Sequence, residues 1–137
     1  MSEQSEIIAD GSLPATVVVS HVVSSPVKRV WNELMSPEGA ETLLGPGAHF
    51  GGKGQTWSSN DGRSGVTRSL HPLEQIRFSI RKDDQSHPSM VQIDLAACDG
   101  GTKLTVTHTN LSDDIDRADL GQRWQAALQR VDDSLAA

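Results

Sequence analysis

Apolar side chains recur along this chain with two periods, and the switches between them outline the fold. Residues 13–23, LPATVVVSHVV, are rich in Val and Thr and lack helical spacing, which predicts a strand near the middle of a sheet. Ser25-Pro26 then reads as a helix start with Ser25 as the N-cap, because Val27, Val30, Trp31 and Leu34 fall on one face of a helix over about 26–35. Ser36-Pro37 repeats the signal for a second short helix, which Gly45-Pro46 ends. From 47 to 109 the period becomes two, in five extended runs: GQTWSS, SGVTRSLHP, EQIRFSIRK, SMVQIDLAA and TKLTVTHT. NDGR at 60–63 and DGG at 99–101 are hairpin turns, since Gly supplies the positive φ that tight turns require. Leu120, Trp124, Leu128, Val131 and Leu135 then return to helical spacing behind Ser112-Asp113-Asp114, predicting a long helix over 113–136. An antiparallel meander of six to seven strands with two short helices must cover its apolar face, and the last helix is the element available to do so. The fold class expected is therefore α+β.

Strand parity singles out three polar side chains, because alternate residues of a strand share a face. His21 shares one with Val17, Val19 and Val23, Arg68 with Val66 and Leu70, and His108 with Leu104 and Val106. Burying such a group unpaired costs about 1–3 kcal/mol, so each needs water, a partner or a ligand. If the interior is hollow, they are polar contacts on a cavity wall; if it is filled, they reach a rim with their heads in water. Trp57, Phe78, Leu120 and Trp124 could line the same space or simply be core. With two Phe, three Trp and no Tyr, the chain has few large rings with which to fill a sheet–helix interior.

Length and composition narrow the classes. A chain of 137 residues with 36% hydrophobic and 22% charged positions suits one ordinary globular domain, here 12–137 behind a frayed tail at 1–11. A net charge of −6 argues against nucleic acid and against an acidic membrane surface, and no run of apolar residues is long enough to insert in a bilayer. Cys98, the single cysteine, excludes an internal disulfide and a cysteine-ligated zinc cage, and it suits a reducing, cytoplasmic setting. MSEQSEIIADGS carries no basic n-region and no apolar h-region, so export is not expected.

No motif commits the chain to a cofactor or to catalysis. GAHFGGKG at 47–54 approaches a phosphate-binding P-loop but puts Gly54 where a Ser or Thr hydroxyl is needed, and a strand rather than a helix follows. The five histidines contain no close pair of metal-ligand spacing, and no nucleophile elbow is present. Asp113, Asp114, Asp116 and Asp119 crowd the start of the last helix, where negative charge complements the helix dipole.

SPVKRVWNELMSPEGAETLL, the Gly65-Val66 step, LHPLEQIRFS, DGGTKLTVTH and WQAALQRVDDSL occur together in an order that resembles the START-like, helix-grip superfamily, also called SRPBCC domains. Within it, residues 13–136 are similar to the branch named after the activator of the heat-shock-protein-90 ATPase. Leu43-Leu44-Gly45 stands where that branch usually carries a Trp, and Arg123 stands where a Gly commonly precedes the Trp of the last helix. The resemblance implies a cavity between sheet and long helix that binds a small, largely apolar molecule without catalysis. His21, Trp57, Arg68, Phe78, His108, Leu120 and Trp124 are the candidate ligand contacts, with neither cofactor nor metal expected. Two alternatives come with the resemblance: a module that contacts a chaperone ATPase in a stress response, and a cyclase- or dehydratase-like enzyme in which a pocket histidine moves protons.

Overall fold

The computed structural model describes residues 5–8, 16–83, 87–112 and 115–136. Seven strands form one antiparallel sheet: β1 (Ser5–Ile8), β2 (Val17–Val23), β3 (Thr56–Ser58), β4 (Ser64–His71), β5 (Gln75–Ile80), β6 (Ser89–Cys98) and β7 (Gly101–Thr109), in the order β1-β2-β7-β6-β5-β4-β3. Residues 5–8, inside the stretch expected to be a frayed tail, pair with Val18–His21 as an edge strand. Among the described residues three helices accompany the sheet: α1 (Val27–Met35), α2 (Pro37–Leu44) and α3 (Arg117–Ala136).

The alternation read from the sequence is the alternation that packs. Val17, Val19 and Val23 on β2, Leu104 and Val106 on β7, Val91 and Ile93 on β6, and Ile76 and Phe78 on β5 are all buried on the face that α3 covers. Register lines them up in rungs. One runs Val19, Val106, Ile93, Ile76; the next runs Val17, His108, Val91, Phe78, Thr67. The second rung is apolar except at His108 and Thr67, so His108 stands inside the core layer. Trp124, Ala127, Leu128 and Val131 of α3 close over it, with Val30 and Leu34 of α1 and Leu43 and Leu44 of α2 completing the core.

Helix starts differ in detail from the sequence expectation. Pro26, not Ser25, is the cap of α1, with no side-chain cap bond, because Ser25 is turned into the sheet and its carbonyl accepts the Thr102 hydroxyl at 2.8 Å. Ser36 does cap α2, its hydroxyl accepting the Gly39 N–H at 3.1 Å. Gly39 lets α2 fold back on α1, since a Cβ there would strike the Glu33 carbonyl. α3 begins at Arg117 rather than near 113, with Asp116 accepting the Asp119 N–H at 3.1 Å; residues 113–114 lie outside the described residues.

Candidate functional site

α2 and α3 do not meet along their full lengths. Between them, over the ends of β5, β6 and β7, lies an open cleft of about 850 Å³. Leu43, Ile80, Leu111, Leu120 and Trp124 provide its apolar walls, and His108 and Ser89 reach its floor. Ala126 and Ala127 are the small side chains that α3 contributes to its lining, and their methyl groups fill little of the space. On the far side, Asn110 takes a positive φ of 59°, a conformation Asn tolerates, and its side-chain amide donates to the Pro88 carbonyl at 3.0 Å. His87 bonds the Asn110 carbonyl at 2.8 Å, so β6 and β7 are tied together at the mouth.

His108 is held by a chain of hydrogen bonds whose directions are fully determined. The Trp124 indole N–H, which can only donate, is 3.0 Å from His108 Nδ1, so Nδ1 must present its lone pair. A neutral imidazole then carries its proton on Nε2, which donates to Ser89 Oγ at 2.7 Å, and the Ser89 hydroxyl donates to the Ile80 carbonyl at 3.1 Å. The rings meet edge to face, centroids 5.9 Å apart. Burial pushes the His108 pKa down to about 4, because the charged imidazolium loses its hydration there. Protonation would also put a second N–H against the indole N–H.

This geometry separates the site from a hydrolytic one. A Ser Oγ 2.7 Å from a His Nε2 looks like a nucleophile with its base. Activation, however, needs Nε2 to accept the Ser proton while Nδ1–H donates to a carboxylate. Here a donor stands at Nδ1, so Nε2 donates and Ser89 keeps its proton.

The sequence-derived candidates divide into four groups. His108, Leu120 and Trp124 line the cleft together. Trp57 and Phe78, expected as possible cavity walls, are packed core: their rings meet edge to face at 6.2 Å, Phe50 also meets Phe78 edge to face at 5.6 Å, and the Trp57 N–H donates to the Ser79 carbonyl at 3.2 Å. Gly65 makes that approach possible, since any Cβ would collide with Ser79 and Trp57. His21 is buried, but far from the cleft: α3 seals it, and its Nε2 donates to Asp132 at 3.4 Å while Asp132 also accepts the Ser24 N–H. Arg68 is exposed, against the parity expectation, because the ladder between β4 and β5 shifts register between Thr67 and Ser69. That bulge leaves Arg68 as the extra residue and gives the inward place opposite Phe78 to Thr67.

Sequence reading passed over Ser89, Arg81 and Arg130. Ser89 shares parity with Val91 and Ile93 and so was legible as inward-facing. Arg130 lies seven residues after Arg123, on the same face of α3. Arg63, also at the cleft, is clamped by Asp61, with two bonds to Oδ2 of 2.7 and 3.0 Å, and its guanidinium holds that carboxyl well below the usual carboxylate range.

Known structures share this architecture. Protein CV1439 from Chromobacterium violaceum superposes with a TM-score of 0.77 at 22% identity, covering 91% of this chain and 99% of its own. CalU16 from Micromonospora echinospora gives 0.74 at 19%, covering 94% and 82%. The Aha1 dimer from Colwellia psychrerythraea gives 0.72 at 16%, covering 88% and 95%. At such identities the likeness is one of fold. No curated protein matches the sequence. The family model described as Activator of Hsp90 ATPase homolog 1-like protein matches residues 22–136, from the last two residues of β2 through the end of α3, and the chain belongs to that family.

Proposed function

We propose that this protein binds a small, largely apolar molecule in the cleft between α2, α3 and the ends of β5–β7, and does so without chemical transformation. The observation that carries the reading is the cleft itself, whose volume of about 850 Å³ falls in the range of small-molecule sites. Its apolar side chains are not sealed by a neighbouring element: Ile80, Ile115 and Leu120 are each only partly buried and face this space. Occupation by a ligand would remove that apolar surface from water at about 25 cal/mol per Å².

The polar floor supports binding over catalysis. His108 is neutral near pH 7 and both of its nitrogens are engaged within the protein, so no lone pair is offered to a substrate proton. A floor whose donors and acceptors are satisfied internally can stay dry beneath an apolar ligand.

The test uses N-phenyl-1-naphthylamine, a neutral apolar fluorophore. Saturable 1:1 binding to the wild type, abolished by Ala126→Trp, is expected; residue 126 is exposed and borders the cleft, so an indole there fills the space while sparing the core. Failure of the probe to bind, or equal binding by Ala126→Trp, would overturn the reading.

A further inference from the structure

Among the described residues, charge around the cleft runs opposite to charge on the chain. The sequence holds 12 Lys and Arg against 18 Asp and Glu, so an average patch should carry more acids than bases. Among the described residues, those that border the cleft include Arg63, Arg81, Lys82, Arg123 and Arg130, against Glu38 and Glu41. Both acids have work elsewhere. Glu41 accepts the Gly47 N–H at 2.7 Å, and Glu38 sits in the first turn of α2, where the helix dipole favours a negative charge. Two of the bases are likewise accounted for: Asp61 clamps Arg63, and Asp119 lies 4.0 Å from Arg123 one turn along α3.

Arg81 and Arg130 are different. Neither guanidinium has a hydrogen-bond or ion-pair partner among the described residues, although both border the same cleft, one from just beyond β5 and one from α3. Arg81 is anchored by a backbone bridge to Ser64 just beyond β5, its N–H and carbonyl bonded to Ser64 at 2.9 and 3.1 Å. Arg130 projects from the middle of α3. Uncompensated guanidiniums beside a cleft with apolar, low-dielectric walls raise the local positive potential and offer planar, paired donors suited to carboxylate or phosphate oxygens.

Building on the apolar-ligand reading above, we propose that the ligand is an amphipathic anion: an apolar body over Ile80, Leu120 and Trp124, and a carboxylate or phosphate head held at the mouth by Arg81 and Arg130. His108 then has no part in holding the head. Its neutral, internally bonded imidazole forms the floor under the apolar body.

Calorimetry with twelve-carbon probes, below their micelle concentrations at pH 7.4 and low salt, tests this. Dodecanoate or dodecyl phosphate should bind about tenfold or more tightly than dodecan-1-ol, and dodecyltrimethylammonium more weakly than the alcohol. Whichever anion binds better identifies the head as carboxylate or phosphate. Arg81→Gln and Arg130→Gln should each weaken the anion about fivefold, the scale of a partly exposed ion pair, and leave the alcohol unchanged. Arg77→Gln, on an exposed strand position away from the cleft, should change neither. Equal affinity for anion and alcohol, or an anion affinity indifferent to both arginine substitutions, would overturn the anionic head while leaving the apolar cleft standing. Failure of all four probes with retained naphthylamine binding would overturn it too; failure of naphthylamine as well would overturn the cleft reading on which it rests.

Discussion

His108 and His21 are the two buried histidines of the sheet, on neighbouring strands, both inward by the same alternation, and their fates differ. His108 sits where α3 offers Trp124 and where α2 stands off, so its ring borders open space with both nitrogens bonded. His21 lies four positions along β2 from Val17, the partner of His108, where α3 is pressed against the sheet. There Asp132 takes Nε2 at 3.4 Å, and Nδ1 has no partner among the described residues. Strand parity chooses the face; the distance of the covering helix chooses between a site and a sealed core. The polar group at the open end is the better satisfied of the two.

The sharpest way to test the comparison is acid. The folded-state pKa of His108 lies near 4, below the ordinary 6.5, so the unfolded chain binds the extra proton first. The contribution of His108 is therefore complete above pH 6.5 and is lost as pH falls from 6.5 towards 4, a loss of about 3 kcal/mol from a shift of this size. Urea denaturation at pH 7 and pH 4.5 should show that slope in the wild type and a much flatter one in His108→Gln. An unchanged slope in His108→Gln would remove the basis for setting the two sites apart.

Trp124→Phe should cost about 2 kcal/mol, because it leaves Nδ1 of a buried ring without its donor. The same change should raise the His108 pKa, since the imidazolium no longer opposes an indole N–H; an NMR titration of the ring protons reads this directly. At the sealed end the effect should be smaller. Asp132→Asn weakens one long contact and an exposed backbone bond, for a loss of about 1 kcal/mol by thermal or chemical denaturation, with naphthylamine affinity unchanged. Arg68→Ala should shift stability by less than about 0.5 kcal/mol and leave binding of every probe unaltered, as expected for an exposed bulge residue. A drop in probe affinity in Arg68→Ala would return that residue to the site.

Much of this molecule is legible in local pattern. Val and Thr alternation marks β2 and β7, the DGG turn joins β6 to β7 through Asp99-Gly100, and the Leu120-Trp124-Leu128-Val131 spacing marks the face of α3 that packs. These are short-range consequences of side-chain direction, with period two in strands and 3.6 in helices, and they need no partner to be read. The expectation for Arg68 failed for a reason of the same kind: one inserted residue reverses parity, and a bulge leaves no mark in composition.

No helix among the described residues is long and apolar enough to cross a membrane, which agrees with the absence of an apolar run in the sequence. Sequence alone also put the polar side chains at 21 and 108 on the same strand faces as their apolar neighbours, since alternate residues of a regular strand share a face, and left open whether they enter the interior or reach a rim. Tertiary structure decided everything about their company. Trp124 meets His108 across 16 residues of sequence and Asp132 meets His21 across 111, and Arg81 and Arg130 share a cleft from two different elements. Such encounters depend on where α3 crosses the sheet and how closely α2 approaches it. Those distances are set by the summed packing of the whole core, and no local stretch of sequence carries that information.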